Sequence, residues 1–327
     1  MDPSCATPPR PCPIRPLPPA SVAGLRSSTA ITCMAQCIEE LVANSIDAGA
    51  TVIDVSMRVE EGFATVSDNG RGMDAGDLAV VGERYSTSKI RGLEDLATAS
   101  TLGYRGEALA SLGEIAILSL HTQAASNCGC ALEKWIQAGT TMSLGKSARA
   151  RQVGTTVTVR DLFGNFPVRR KALLLEARKE LQRVKQLLIR FALSHCTICF
   201  SLYDSQRGIT VLQTQSVPDA FTCFGHLFGH SQASKLVTFD SLASPNGAEQ
   251  CRSDKHDAAS RGAPKFRLRG YMSKPGSQGY HTKELQYLYA YSNCTRLHAA
   301  DSRTFDSAFR ASAQVCQPQV STLHRHR

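Results

Sequence analysis

The chain has 327 residues, of which 42% are hydrophobic and 20% charged, an ordinary globular composition that is large enough for two domains. No apolar run reaches the length of a membrane span, so we expect no membrane partner. Residues 1–24 are rich in proline and lack the charged start and apolar middle of a secretory signal, so we expect them to be disordered.

The net charge of +9 is concentrated in one segment. Residues 146–190 contain twelve Lys and Arg against three acidic residues, an excess of nine, so the rest of the chain sums to zero. Such a basic segment indicates a polyanionic partner, although a solvated helix face would have the same composition.

The twelve cysteines do not have the spacing of a zinc site. Cys128 and Cys130, and Cys196 and Cys199, form close pairs that lack a second ligand pair. Cys33 and Cys37 fall among apolar positions of a predicted helix. We therefore expect reduced structural thiols in a cytosolic or nuclear protein.

The N-terminal half predicts alternating helices and strands. Apolar residues at helical spacing predict a first helix over 31–45, and period-two alternation predicts strands over 53–59 and 63–67. Weak patterning over 74–107 indicates a long mobile loop of the kind that often carries function. A helix over 108–112 and strands over 115–121 and about 155–159 follow, which together favour an α+β sandwich with helices on one face of a mixed sheet.

A second unit is predicted to begin near residue 163 with an amphipathic helix over 174–194. Its buried stripe consists of Leu181, Val184, Leu188 and Phe191. The remaining predictions are strands near 198–203, 209–214, 266–272 and 285–291, a flexible insert over 241–264, and an aperiodic tail over 292–327. We therefore assign an N-terminal domain to 25–162 and a second domain to 163–291.

Glu40 and Asn44 lie four residues apart, so they share one face of the first helix. A carboxylate can orient and deprotonate a water molecule, and an amide oxygen one turn away can ligate magnesium. Taken alone, the pair is much more typical of a solvated helix face.

Asp68, Gly70 and Gly72 end a predicted strand. An ionised carboxylate only accepts hydrogen bonds, so Asp68 suits an exocyclic amino group such as that of adenine, and the two glycines would let the backbone approach a flat ring. A plain turn is the alternative for this motif.

Two further segments suit phosphate. The run from Gly103 to Ala108 opens a helix with glycines that expose backbone amides, and Ser86 to Lys89 offers hydroxyls and one cation. Each is also compatible with an ordinary capped turn.

The ordered set of motifs is more informative than any one of them. It consists of Glu-x-x-x-Asn-Ser-x-Asp-Ala from Glu40, Asp-x-Gly-x-Gly from Asp68, Thr-Ser-Lys from Thr87, Gly-Tyr-Arg-Gly-Glu-Ala-Leu from Gly103 and Gly-Thr-x-Val-x-Val from Gly154. This set resembles the ATPase superfamily shared by gyrase, the 90-kDa heat-shock chaperone, histidine kinases and MutL. The segments 86–89, 103–109 and 162–171 are specifically similar to MutL, the DNA mismatch repair protein.

Within that family, the segments 25–27, 36–41, 82–85 and 167–171 look most like the third eukaryotic MutL homologue, and the resemblance runs from about residue 20 to 291. It implies a nuclear, ATP-dependent mismatch repair protein that pairs with the first MutL homologue, and it also implies a role in meiotic recombination. The implied fold is an ATPase α/β sandwich followed by a second, incomplete α+β domain of the ribosomal protein S5-like type. Such proteins hydrolyse ATP slowly and use it to close an N-terminal dimer around DNA.

The resemblance also implies residue roles. Glu40 would be the general base, Asn44 the magnesium ligand, and Asp68, assisted by Thr155, the adenine partner. The rest of the implied ATP site comprises Asp47, Gly70, Gly72, Met73, Thr87, Ser88, Lys89, Gly103, Tyr104, Arg105, Gly106 and Glu107. DNA contacts fall to Arg169, Arg170, Lys171, Arg178, Lys179, Arg183 and Lys185, and should be made to phosphates of duplex DNA.

The resemblance stops after Tyr291. The family continues there with an Asn-x-Arg segment and later supplies a lysine to the γ-phosphate, and neither these nor an endonuclease region is found in this chain. We therefore expect a truncated or alternatively spliced product, or a misread gene model. One alternative function is a truncated module that binds ATP or DNA without hydrolysis. The other is a histidine kinase, although no phosphoacceptor-histidine helix precedes the ATP motifs.

Overall fold

One sheet of eight strands organises the protein in the computed structural model, which describes residues 19–84, 86, 107–126, 129–243, 266–273, 290–292 and 295–297. The helices are α1 (Pro19–Ala30), α2 (Met34–Asp47), α3 (Ala75–Val80), α4 (Ala108–Ile115), α5 (Pro167–Leu175), α6 (Ala177–Ser194), α7 (Ala220–Phe228) and α8 (His230–Ala233). The strands are β1 (Val52–Arg58), β2 (Phe63–Asp68), β3 (Ile117–Gln123), β4 (Leu132–Gln137), β5 (Thr140–Lys146), β6 (Gly154–Arg160), β7 (Cys199–Asp204), β8 (Ile209–Gln213), β9 (Leu236–Ala243), β10 (Phe266–Ser273), β11 (Ala290–Ser292) and β12 (Thr295–Leu297).

The strand order in the sheet is β5-β4-β3-β6-β2-β1-β7-β8. Neighbouring strands are antiparallel except β1 and β7, which are parallel. In the centre, Val55 of β1 lies opposite both Val66 of β2 and Leu202 of β7. The register therefore places apolar side chains of three strands in one row.

Alternation within the strands gives the sheet one apolar and one polar face. In β1 the side chains of Ile53, Val55 and Met57 are buried, and the positions between them are half-buried or exposed. On the polar face, hydroxyl groups of neighbouring strands bond to each other, as Ser67 and Thr156 do at 2.8 Å.

Helices cover the apolar face. Helix α2 packs against β1 and β2, α4 against β3 and β4, and α6 against β7 and against α2. Helix α2 buries Met34, Cys37, Ile38, Leu41 and Val42, the 3.6-residue stripe that its sequence predicts. The predicted α+β sandwich with helices on one face of a mixed sheet is confirmed.

The predicted boundary at residue 163 does not interrupt the sheet. Strands β7 and β8 lie beyond it, yet β7 pairs with β1 over Val52–Met57 and Cys199–Asp204. Parallel pairing between strands so distant in sequence leaves no local signal, so the sequence pattern could not reveal it. The division into two domains and the S5-like type of the second stay predictions, because the described helices and strands beyond 214 are α7, α8 and the separate strand pairs β9–β10 and β11–β12.

Three further expectations need correction. Residues 19–24 were expected to be disordered but belong to helix α1, which contacts α4. Pro19 is tolerated as the first residue of this helix, because the first N–H groups of a helix have no partner within it. Helix α3 lies within the segment predicted to be a loop, with Asp74 as its N-cap. The helix predicted over 174–194 is two helices, which separate at Glu176. Residues 244–265 and 298–327 lie outside the described residues.

Lys134 of β4 is a buried cation that fixes the end of α3. Its side chain is 1% exposed, and its Nζ donates to the carbonyl oxygens of Ala79 at 2.7 Å and Val81 at 2.8 Å. A positive charge at a helix C-terminus also interacts favourably with the helix dipole. Burial lowers the pKa of the Lys134 ammonium, an effect that nearby Glu83 opposes.

Among the described residues, no helix is both long and apolar enough to cross a membrane.

We expect Lys134→Met to lower the free energy of unfolding by about 1–3 kcal/mol, because the charge-assisted hydrogen bonds to the carbonyls of Ala79 and Val81 would be lost. Urea denaturation measures the change. Lys146→Met is the matched control, since Lys146 is exposed at the end of β5. Equal effects of the two substitutions would contradict the structural role of Lys134.

Candidate functional site

Asp68, the last residue of β2, is the centre of a hydrogen-bond network. Its side chain is buried with 8% exposure. Its Oδ1 accepts from the backbone N–H of Gly70 at 2.9 Å and of Thr155 at 3.2 Å, and its Oδ2 accepts from Ser45 Oγ at 2.9 Å. A carboxylate has about four lone-pair positions, so Asp68 retains acceptor capacity on Oδ2 for one more donor.

The turn after Asp68 lies against the C-terminus of α2. The backbone N–H of Arg71 donates to the carbonyl of Ala48 at 3.0 Å. A Cβ at Gly70 would lie 2.9 Å from the Cβ of Ala48, so only glycine fits there. Together with the bond from Ser45, this contact joins the Glu40–Ala48 motif to the Asp68–Gly72 motif.

A pair of threonines forms the wall on the other side of Asp68. Thr122 of β3 is buried, and its Oγ1 lies 3.0 Å from Thr155 Oγ1 and accepts from the backbone N–H of Met73 at 2.9 Å. Thr155 in turn bonds Asp68 through its backbone. Thr155 is predicted from the sequence, whereas Thr122 and Ser45 are not. The only sequence signal of Thr122 is a buried position of β3, and that of Ser45 is its place beside Asn44.

Packing within the protein itself requires a glycine at position 72. Its φ of +71° is in the left-handed region, and a Cβ there would lie 2.1 Å from the carbonyl oxygen of Gln123. The glycine therefore allows the turn to approach the end of β3. Gly154 is constrained similarly, since a Cβ on it would lie 2.1 Å from the carbonyl oxygen of Asp68.

Arg151 links the strand ends around this network. Its guanidinium donates to the carbonyl oxygen of Asp68 at 3.1 Å, to Thr156 Oγ1 at 3.1 Å and to the carbonyl oxygen of His121. Burial lowers the pKa of Arg151, and the charge of Asp68 opposes that shift. The composition of the basic segment gave no indication of this internal role.

Glu40, Asn44 and Asp47 are half-buried and follow one another along α2 at helical spacing. Glu40 lies about 7.5 Å along the helix axis from Ser45, which bonds Asp68. Burial raises the pKa of the neighbouring Cys37 thiol well above its ordinary range, and the charges of Cys33 and Glu40 add to this effect. The Cys37 thiol is therefore an unreactive part of the core, and the half-buried Glu40 lies at the edge of that core.

The structure brings together most of the predicted adenine-side residues, namely Asp68, Gly70, Gly72, Met73 and Thr155. Glu107 is half-buried and precedes α4. Residues 87–106 lie outside the described residues, so Thr87, Ser88, Lys89, Gly103, Tyr104, Arg105 and Gly106 stay predictions.

Comparison with known proteins identifies the family. The model of a family described as histidine kinase-, DNA gyrase B-, and HSP90-like ATPase matches residues 31–149. The DNA mismatch repair protein Mlh3 of Homo sapiens is 32% identical over 316 residues, covering 93% of this chain and 20% of the relative. The protein MLH3 of Arabidopsis thaliana is 39% identical over 210 residues, covering 64% of this chain and 18% of the relative.

The chain belongs to the MutL family of DNA mismatch repair proteins. A crystal structure of the N-terminal domain of a DNA repair protein superposes with a TM-score of 0.68 at 27% identity, covering 85% of this chain and 78% of that one. The histidine-kinase alternative is thereby excluded. The chain spans about one fifth of the length of its two eukaryotic relatives.

We expect Asp68→Asn to weaken ATP binding by about 1–3 kcal/mol while leaving the fold intact. The side-chain oxygen of an asparagine at position 68 can still accept from the backbone N–H groups of Gly70 and Thr155. Its amide can donate to Ser45 Oγ, because the Ser45 hydroxyl can itself donate to the carbonyl of Leu41 at 3.2 Å. The exocyclic amino group of adenine would then face a donor. Titration calorimetry measures the affinity, and a thermal melt checks the fold.

Asp74→Asn is the matched control, because Asp74 caps α3 by accepting from the backbone N–H of Asp77 at 2.8 Å and an asparagine caps equally well. Unchanged ATP affinity in Asp68→Asn would remove Asp68 from the adenine site.

Proposed function

We propose that this MutL homologue binds ATP with magnesium and hydrolyses it slowly, and that this drives N-terminal closure and DNA engagement in mismatch repair and meiotic recombination. The full-length protein would act in the nucleus as a heterodimer with the first MutL homologue. The observation that supports this best is the Asp68 network, because it attaches a buried acceptor with spare capacity directly to the helix that carries Glu40 and Asn44. The ATPase family match supports the nucleotide.

In this proposal the strand ends and α2 have different roles in the chemistry. Asp68 and Thr155 hold the adenine end, and Glu40, one and a half turns from Ser45, orients and deprotonates the attacking water. Bound ATP supplies the γ-phosphoryl group that the water attacks. The distance along the helix between Ser45 and Glu40 separates adenine recognition from hydrolysis, as an extended triphosphate requires.

Asn44 is the proposed magnesium ligand. Among the described residues, no group of three or more His, Cys, Asp or Glu side chains could hold a metal ion. This fits magnesium in a nucleotide site, because that ion takes one or two protein oxygens and completes its shell with phosphate oxygens and water. Asn44, one turn beyond Glu40, offers such an oxygen.

We expect Glu40→Gln to bind ATP with the parent's affinity and to lower the rate of hydrolysis about 10²–10⁴-fold, because the amide cannot accept the proton of water. Glu39→Gln is the matched control, since Glu39 is the adjacent half-buried carboxylate and lines a groove between α2 and α6. Single-turnover hydrolysis and calorimetry give the two quantities.

Two outcomes would contradict this assignment. Equal loss of binding and turnover would make Glu40 structural. A parent chain that binds ATP but shows no turnover above Glu40→Gln would instead support the alternative of a non-hydrolysing ATP- or DNA-binding module.

Helix α6 provides the proposed DNA surface. Leu181, Val184, Leu188 and Phe191 are buried as predicted. Arg178 and Lys179 are exposed, as is Arg183, and Lys185 is half-buried. A surface groove of about 760 Å³ between α6 and α2 is lined by Arg178, Lys179, Arg183 and Arg190. Four cations along one groove suit the phosphate backbone, which binds without sequence preference.

Not all of the predicted DNA contacts are equally available. Arg170 pairs with Asp161, and Arg169 donates to the carbonyl of Ile31 at 3.4 Å. Lys179 pairs with Glu176 at 3.3 Å. Within the described part of the chain, Lys171, Arg178 and Lys185 have no ion-pair partner. Because their charge is not compensated locally, we expect these three to contribute most to phosphate binding.

We expect the double substitution of Arg178 and Lys185 by Ala to weaken binding to duplexes of any sequence. The slope of log affinity against log salt should fall by about one unit for each phosphate that the variant no longer binds. The control replaces Lys146 and Arg149, which are exposed at the opposite end of the sheet, by Ala. Fluorescence anisotropy at several salt concentrations measures both, and a double variant with the parent's affinity and slope would place the DNA surface elsewhere.

A further inference from the structure

The N-terminus of α2 lacks a local cap. Its N-cap residue, Cys33, makes no side-chain cap bond, and its first turn contains no acidic residue. The first N–H groups of a helix need acceptors from elsewhere, and a negative charge near them is favourable. This helix carries Glu40 and Asn44, so the means by which it is held bears directly on the proposed ATPase.

Glu180 of α6 supplies the missing cap. Its Oε2 accepts from the backbone N–H of Ala35 at 3.1 Å, across 145 residues of sequence. The side chain is buried, with 1% exposure. A buried carboxylate is costly unless it is paired and hydrogen-bonded. The bond from Ala35 therefore stabilises both the Glu180 carboxylate and the start of α2.

The partner that neutralises Glu180 lies on the DNA surface. Arg183, which is half exposed, donates to Glu180 Oε1 and pairs with Glu176 at 3.0 Å. The bond to Glu180 raises the pKa of Arg183, and an arginine guanidinium is charged at any ordinary pH. Two of its five N–H groups are used by these carboxylates, which leaves donors for a phosphate.

We propose that Glu180 is a positioning residue that holds the Glu40 helix against α6, and that Arg183 links phosphate contact on α6 to that helix. The inference rests on the proposed function. Ala35 is five residues before Glu40, about 7.5 Å along a continuous helix, so a shift at the cap displaces the base. A phosphate that binds Arg183 competes with Glu180 for the guanidinium. It thereby alters the hydrogen bond by which Glu180 holds Ala35 of α2.

The first experiment compares Glu180→Ala, Glu180→Gln and the control Glu176→Gln in ATP turnover. Glu180→Ala should lower kcat about 10-fold or more with little change in KM, because a misplaced base costs rate without removing ATP contacts. Glu180→Gln keeps an oxygen for Ala35 and should restore much of kcat. Glu176→Gln changes a carboxylate of the same ion cluster and should stay within about 2-fold of the parent.

Hydrogen exchange of the first turn of α2, measured without nucleotide, separates this inference from the proposed function. The amides near Ala35 should exchange faster in Glu180→Ala, and less so in Glu180→Gln, whether or not the chain hydrolyses ATP. Unchanged exchange, or unchanged kcat in an active Glu180→Ala, would overturn the positioning role. A parent without turnover contradicts the proposed function alone.

The link to DNA is tested with Arg183→Ala at saturating duplex. The parent's turnover should change when DNA saturates it, and that of Arg183→Ala should not. Arg178→Ala, which removes a neighbouring cation that does not pair with Glu180, should respond once saturated. The link would be overturned if DNA changed the turnover of Arg183→Ala as it changes that of the parent, or if DNA did not change the turnover of the parent.

Discussion

The buried carboxylate of Asp68 is the interaction on which the arrangement of the site depends. It accepts from Ser45 of α2, from Gly70 in the following turn and from Thr155 of β6, so one side chain joins a helix, a turn and two strands. A buried carboxylate without these donors would be strongly destabilising. Glycines occupy positions 70 and 154 next to this network because a Cβ at Gly70 would collide with Ala48 and a Cβ at Gly154 with the backbone of Asp68.

Helix α2 is held at both ends by residues from other elements. At its C-terminal end, Ser45 and Ala48 bond the Asp68–Gly72 turn, and at its N-terminal end Glu180 receives the N–H of Ala35. The helix therefore lies between the proposed adenine pocket and the basic surface of α6. In the proposed function, this placement would connect the nucleotide site and the DNA surface through one helix.

Part of the site follows from sequence alone because its determinants are local. The spacing of Glu40, Asn44 and Asp47 fixes their common helix face, and the strand that ends at Asp68 follows from alternation over Phe63–Asp68. Thr122 and Ser45 were not predicted because a buried threonine or serine resembles any small core residue. Arg151 was counted with the basic surface, but its guanidinium is turned inward to the carbonyl of Asp68.

The sequence by itself determined the family, the fold class, the apolar faces of α2 and α6, and the motifs of the candidate nucleotide site. Only the tertiary structure decided that β7 pairs in parallel with β1 across the predicted domain boundary, that Lys134 ends α3, and that Glu180 caps α2. Periodicity records which face of an element is buried, because the period is a property of that element. It contains no information on which distant element supplies the partner, because that depends on how the packed elements are placed in space.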